Sequence, residues 1–124
     1  MKYLHIDVIN NNIQMVEANG LDDFYRLLNC RCIDVIYRKI GDTECTLIVD
    51  DEGLLKDNPI VSAIDISGTP CLVGNILIAS GRTVDGEDTP LTDEELEDVM
   101  FNVAEITTSK HPEPYRVLVE VSYC

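Results

Sequence analysis

The chain has no tryptophan, only two phenylalanines and only two histidines. Bases are scarce too: nine Lys and Arg stand against 23 Asp and Glu, a formal charge of −14 at pH 7. That shortage argues against general binding to DNA, RNA or an anionic membrane, since each needs a basic footprint. No window holds the roughly 18 uninterrupted apolar residues of a membrane span. The opening Met1-Lys2-Tyr3-Leu4-His5-Ile6-Asp7 has no long apolar stretch and no cleavage site, so no signal peptide is expected. Of the five cysteines, only Cys30 and Cys32 are closely spaced. No C-x2-C pair occurs, so no metal site is expected. The cysteines read as small buried hydrophobes of a reducing cytosol, with Cys124 exposed at the end.

Signatures of catalysis are missing as well. There is no P-loop, G-x-S-x-G elbow, H-E-x-x-H or Rossmann glycine pattern. His5 lies within a strand and reads as structural, and His111 reads as solvated between Lys110 and Pro112. Adjacent acids such as Asp22-Asp23 or Glu94-Glu95 point about 100° apart on a helix and make no acid/base pair by themselves. Asp50-Asp51-Glu52-Gly53 reads as a solvated turn, because it lacks the twelve-residue calcium pattern. Catalysis is therefore poorly supported by the residues.

What is present suits a folded domain. Hydrophobic residues make up 45% of 124, too many for a disordered acidic tail and enough for one core. Tyr3 to Ile9 reads as a strand, Asn10-Asn11-Asn12 as a turn, and Ile13 to Ala18 as the returning strand. Leu21 to Leu28 has helical spacing, with Leu21, Phe24, Tyr25 and Leu28 on one face. Cys32 to Ile40 and Glu44 to Asp50 form a second hairpin about Gly41-Asp42. Leu54 to Thr69 is ambiguous. Asn75 to Ala79 is a nearly continuous apolar run, as for a strand buried on both faces. Gly81 to Pro90 is a polar loop. Thr92-Asp93-Glu94-Glu95 is a capping box opening a helix expected to run to about Thr107. Arg116 to Ser122 is the last strand. The expectation is an α+β fold, a mainly antiparallel sheet of about six strands packed with two helices, in one domain over residues 1–124.

On the second helix, Leu96, Val99, Met100, Val103 and Ile106 fall within about 80° of one another's stripe, and Phe101 stands off it at about 140° from Leu96. An aromatic among acids is either a lone exposed residue, a subunit contact or a stacking platform. Arg82 and Tyr115-Arg116 sit where strands meet loops, a common place for ligand contacts. Arg26 lies opposite the apolar stripe of the first helix.

Taken in order, these segments resemble a phage-borne family of small acidic domains. The likeness runs through the N-terminal strand pair, the Leu21-to-Leu28 helix, Ile33-Asp34-Val35-Ile36 and Thr46-Leu47-Ile48-Val49-Asp50-Asp51-Glu52-Gly53. It continues through Val73-Gly74-Asn75-Ile76-Leu77-Ile78 and Leu91-Thr92-Asp93-Glu94-Glu95. Asp57-Asn58-Pro59-Ile60-Val61 departs from the Pro-Asn-Arg-type stretch of many relatives. In length and opening the chain is similar to the anti-Thoeris sponge proteins of clostridial prophages. That resemblance implies a cytoplasmic, phage-encoded binding protein that captures glycocyclic ADP-ribose, a signal made by TIR enzymes, and holds it intact. It also implies homodimers or larger homo-oligomers, and capture of cyclic oligonucleotides at separate sites. Such a ligand asks for an aromatic platform, amides and arginines. On that chemistry Asn75, Arg82, Phe101, Tyr115 and Arg116 are the ligand candidates, and Arg26 and Arg31 suit a second anionic site. No cofactor is expected. The competing reading is an acidic DNA mimic that inhibits a host nuclease or regulator. A third is a phage regulatory domain with no ligand.

Overall fold

The computed structural model describes residues 1–123, so the expectation for Cys124 lies outside the described residues. Strands β1 (Lys2–Asp7) and β2 (Asn12–Glu17) form the first hairpin, and Asn11 takes the left-handed turn conformation at φ 50°. Helix α1 spans Leu21–Leu28. The second hairpin joins β3 (Ile33–Ile40) to β4 (Thr43–Asp50) through Gly41 at φ 59°. A 3-10 turn at Gly53–Leu55 leads to β5 (Val61–Asp65), β6 (Pro70–Val73) and β7 (Ile76–Ser80). A small separate hairpin, β8 (Thr83–Val84) and β9 (Glu87–Asp88), occupies the expected polar loop. Helix α2 (Asp93–Phe101), β10 (Val103–Ile106) and β11 (Tyr115–Tyr123) complete the chain.

The main sheet has nine strands in the order β2-β1-β7-β4-β3-β11-β5-β6, with β10 also on β11. β11 and β5 run parallel, and the other pairings are antiparallel. This corrects the expected sheet of about six antiparallel strands: the sheet is larger and mixed. Three strands account for the difference: β6 at Pro70–Val73, which was not expected, and one in each of two other segments. Leu54 to Thr69 was ambiguous and contains β5. The helix expected to reach Thr107 stops at Phe101, and Val103–Ile106 is a strand on β11. The β-branched Val103 and Ile106 favour a pleated surface, and the apolar spacing fitted both forms. Asn102 ends the helix, its side-chain amide donating to Asp98 O at 2.8 Å.

Both faces of the sheet are covered. Leu4, Ile6, Leu47, Ile76, Ile78 and Val117 share one core with Leu96 and Val99 of α2. Tyr3, Ile48, Leu77 and Ala79 share the other with Phe24, Leu27 and Leu28 of α1. Alternate residues of a strand point to opposite faces, so β7 had to be apolar throughout. On α1 the packed stripe is Phe24, Leu27 and Leu28, while Leu21 is exposed. Of the four described cysteines only Cys45 is buried, against the expectation of buried hydrophobes; Cys30 is half-buried, and Cys32 and Cys71 are exposed. Among the described residues no cluster of His, Cys, Asp or Glu could hold a metal, and no helix is long and apolar enough to cross a membrane.

Candidate functional site

Helix α1, like any α-helix, leaves its last carbonyls without partners inside the helix. Asn29 closes it in the left-handed conformation at φ 52°, and its N–H donates to Arg26 O at 3.3 Å. Leu27 O is met from the sheet below. His5 Nε2 lies 2.9 Å from it, and Asn75 Nδ2 donates to it at 3.2 Å. Asn75 is buried, and its Oδ1 accepts the Val8 N–H at 3.0 Å. One amide thus ties β1, β7 and the end of α1 together.

Just beyond that anchor, Asn29, Cys30 and Arg31 face the segment after β4. Asp50 stands there with a side chain only 4% exposed. It accepts the Glu52 N–H at 2.9 Å and pairs with Lys56 Nζ at 3.0 Å. Lys56 Nζ also donates to Asn29 O. Arg31 Nε reaches Glu52 Oε1 at 3.2 Å in an exposed pair. These groups enclose an open cleft of about 570 Å3 lined by Asn29, Arg31, Asp50, Glu52, Lys56 and Asp57 among others. A smaller cavity of about 60 Å3 shares Asn29, Asp50 and Lys56 with it and extends to Asn58 and Asn75. Burial and then the Asp50 carboxylate push the Cys30 thiol up, so it stays protonated. The cleft offers two cations on opposite segments, backed by amides. Asp50 and Glu52 already hold the two cations, and Asp57 adds a third acid, so an incoming anion must take Arg31 from the exposed Glu52 pair.

The structure places Arg31 in the cleft and Asn75 in the smaller adjoining cavity. The other five candidates line neither cavity. Arg82 Nη2 donates to Glu95 Oε1 at 3.1 Å, beside the capping box. Tyr115 is fully buried, its hydroxyl donating to Val61 O at 2.7 Å and its ring 4.4 Å from that of His111. His111 is therefore packed and not simply solvated. Arg116 sits on β11 opposite Glu105, its main-chain N–H bound to Asn11 Oδ1 at 3.0 Å. Arg26 pairs with Asp23 at 3.4 Å. Phe101 is 86% exposed at the end of α2, as its place off the stripe predicts.

Sequence reasoning missed Lys56, Asp50 and Asn29. It also missed Arg38, whose guanidinium carbon lies 4.3 Å from the Tyr123 ring centre, in a cavity of about 440 Å3. Nothing local marks Asp50 as buried; the acids beside it suggest a wet turn.

A family model described as a domain of unknown function, DUF3846, matches residues 1–104. The chain belongs to the DUF3846 family. The match takes in every residue that lines the α1 cleft, while β11 falls beyond it. Nothing in it ties the DUF3846 domain to the anti-Thoeris sponge proteins. No curated protein and no solved structure matches the chain.

Proposed function

We propose that this DUF3846 domain is a binding protein that sequesters a small anionic nucleotide in the cleft beyond α1 and releases it unchanged. The observation that carries the reading is the meeting of Arg31 and Lys56 across one cavity of about 570 Å3 that Asn29 also lines, with Asn58 in the smaller cavity adjoining it. That volume lies in the range of about 300–1,000 Å3 typical of small-molecule sites. Guanidinium and ammonium groups suit a pyrophosphate, and the amides suit base or ribose edges. Binding without turnover is favoured by how the two histidines are used. His5 and His111 each hold a ring nitrogen against a main-chain carbonyl. The resemblance read from the sequence makes glycocyclic ADP-ribose the first ligand to try, with cyclic oligonucleotides second, in a bacterial cytoplasm.

The test expresses the chain beside an active TIR enzyme, purifies it and releases small molecules by heat. Intact cyclic ADP-ribose in the mass spectrum supports sequestration. A linear product points to an enzyme, and no nucleotide at all removes the proposal.

A further inference from the structure

Strand β2 ends the sheet order, and among the described strands it pairs with β1 alone. Its register is unbroken from Lys2↔Glu17 to Asp7↔Asn12. It carries no proline and no lysine. The opposite edge is built differently. β6 has four residues, begins at Pro70 and shifts register against β5, all devices that blunt an edge. β2 has none of them.

The direction of its free groups follows from one pair. Ala18 N–H donates to Met1 O at 3.0 Å, and the Met1 amino group donates to Ala18 O at 3.3 Å. Antiparallel ladders alternate bonded and non-bonded pairs. Val16, Gln14 and Asn12 therefore turn their main-chain groups toward β1. Ile13, Met15 and Glu17 turn theirs outward, away from the sheet.

Charge names the occupant. In a molecule of net −14, β2 carries one formal charge, Glu17, and that carboxylate is held by the Met1 ammonium at 2.7 Å. Here two copies approach with the least like-charge repulsion. We infer that β2 pairs antiparallel with β2 of a second copy, about a two-fold axis at Met15. In that register Met15 faces its own counterpart and Glu17 faces Ile13 of the other copy. Gln14 faces Val16, so no like charges oppose one another. Ile13 and Met15, only partly covered in one chain, gain apolar neighbours, and the sheet runs on through both copies. This pairing does not depend on the ligand proposed above.

Sedimentation velocity on the full chain tests it. The unmodified chain is a dimer. Met15→Lys and Met15→Glu each sediment as monomers, because like charges meet at the axis, and an equimolar mixture of the two restores the dimer. A second readout needs no variant. In the unmodified chain the Ile13, Met15 and Glu17 amides exchange with solvent about tenfold or more slowly once the dimer forms. A monomeric wild type, a dimer that survives both single variants, a mixture that stays monomeric, or unprotected amides each overturn the pairing.

Discussion

Asn75 shows how one side chain binds three elements. Replacing it with alanine leaves the buried Val8 N–H without its acceptor and takes a donor from Leu27 O. Orphaning a buried group costs about 1–3 kcal/mol. Urea unfolding of Asn75→Ala is expected to show a loss of that size; an unchanged midpoint would contradict the anchoring role. Arg31 is the opposite case. Its pair with Glu52 is exposed, so Arg31→Ala is expected to keep the melting temperature. The same change weakens nucleotide uptake by about tenfold or more, the loss expected when a charge-assisted contact goes. Calorimetry and thermal melting separate the two effects. Asn75 and Arg31 were singled out by their chemistry, and the structure shows Asn75 as a buried anchor and Arg31 on the cleft. Lys56 and Asp50 were not, because Lys56 joins Asp50 to Asn29 O, 27 positions before Lys56 in the chain. Charge spacing within the Asp50–Lys56 segment carries no trace of that contact.

The elements show where local signals suffice. The Thr92 hydroxyl accepts the Glu95 N–H at 3.1 Å, and Glu95 Oε1 accepts the Thr92 N–H at 2.9 Å. Both halves of this box were readable from four consecutive residues. Thr92→Ala is expected to cost about 1 kcal/mol, measured by urea unfolding. Glu95 does more than cap: it also accepts from Arg82 and from Ser80 Oγ at 3.0 Å. Burial raises its pKa, but the Thr92 N–H, Arg82 and Ser80 bonds outweigh that and hold it below the usual 4.5. The sign follows from linkage. A carboxylate with a depressed folded pKa stabilises above its unfolded pKa and loses that contribution as pH falls through the folded one. Unfolding midpoints should therefore drop below about pH 4.5, and less so in Glu95→Gln; equal slopes would contradict the assignment. The far end of α2 was misread for a physical reason. Val99, Val103 and Ile106 satisfy a helical stripe, yet pairing with β11 claims Val103 onward. Strand partners distant in sequence leave no periodicity of their own, which is also why β5, β6 and β10 went uncounted.

At the scale of the whole molecule, nine strands with a helix on each face give a rigid frame. The cleft lies at one end of α1, where helix, sheet and the turn after β4 meet. The charge of −14 shapes function in two ways. It discourages broad capture of polyanions, and it leaves the proposed anion binding to short-range bonds from Arg31 and Lys56, which must outweigh Asp50, Glu52 and Asp57 in the same cleft. The class α+β could be read from apolar patterning; the division into a core on each face, the size of the sheet and the place of the cleft depend on contacts between remote segments. The most direct measurement is isothermal titration of the full chain with glycocyclic ADP-ribose, followed by mass analysis of the ligand released on heating. Saturable uptake at one site per chain, lost in Arg31→Ala and returning an intact ring, is the predicted result. Absence of binding, or recovery of an opened ring, would contradict it.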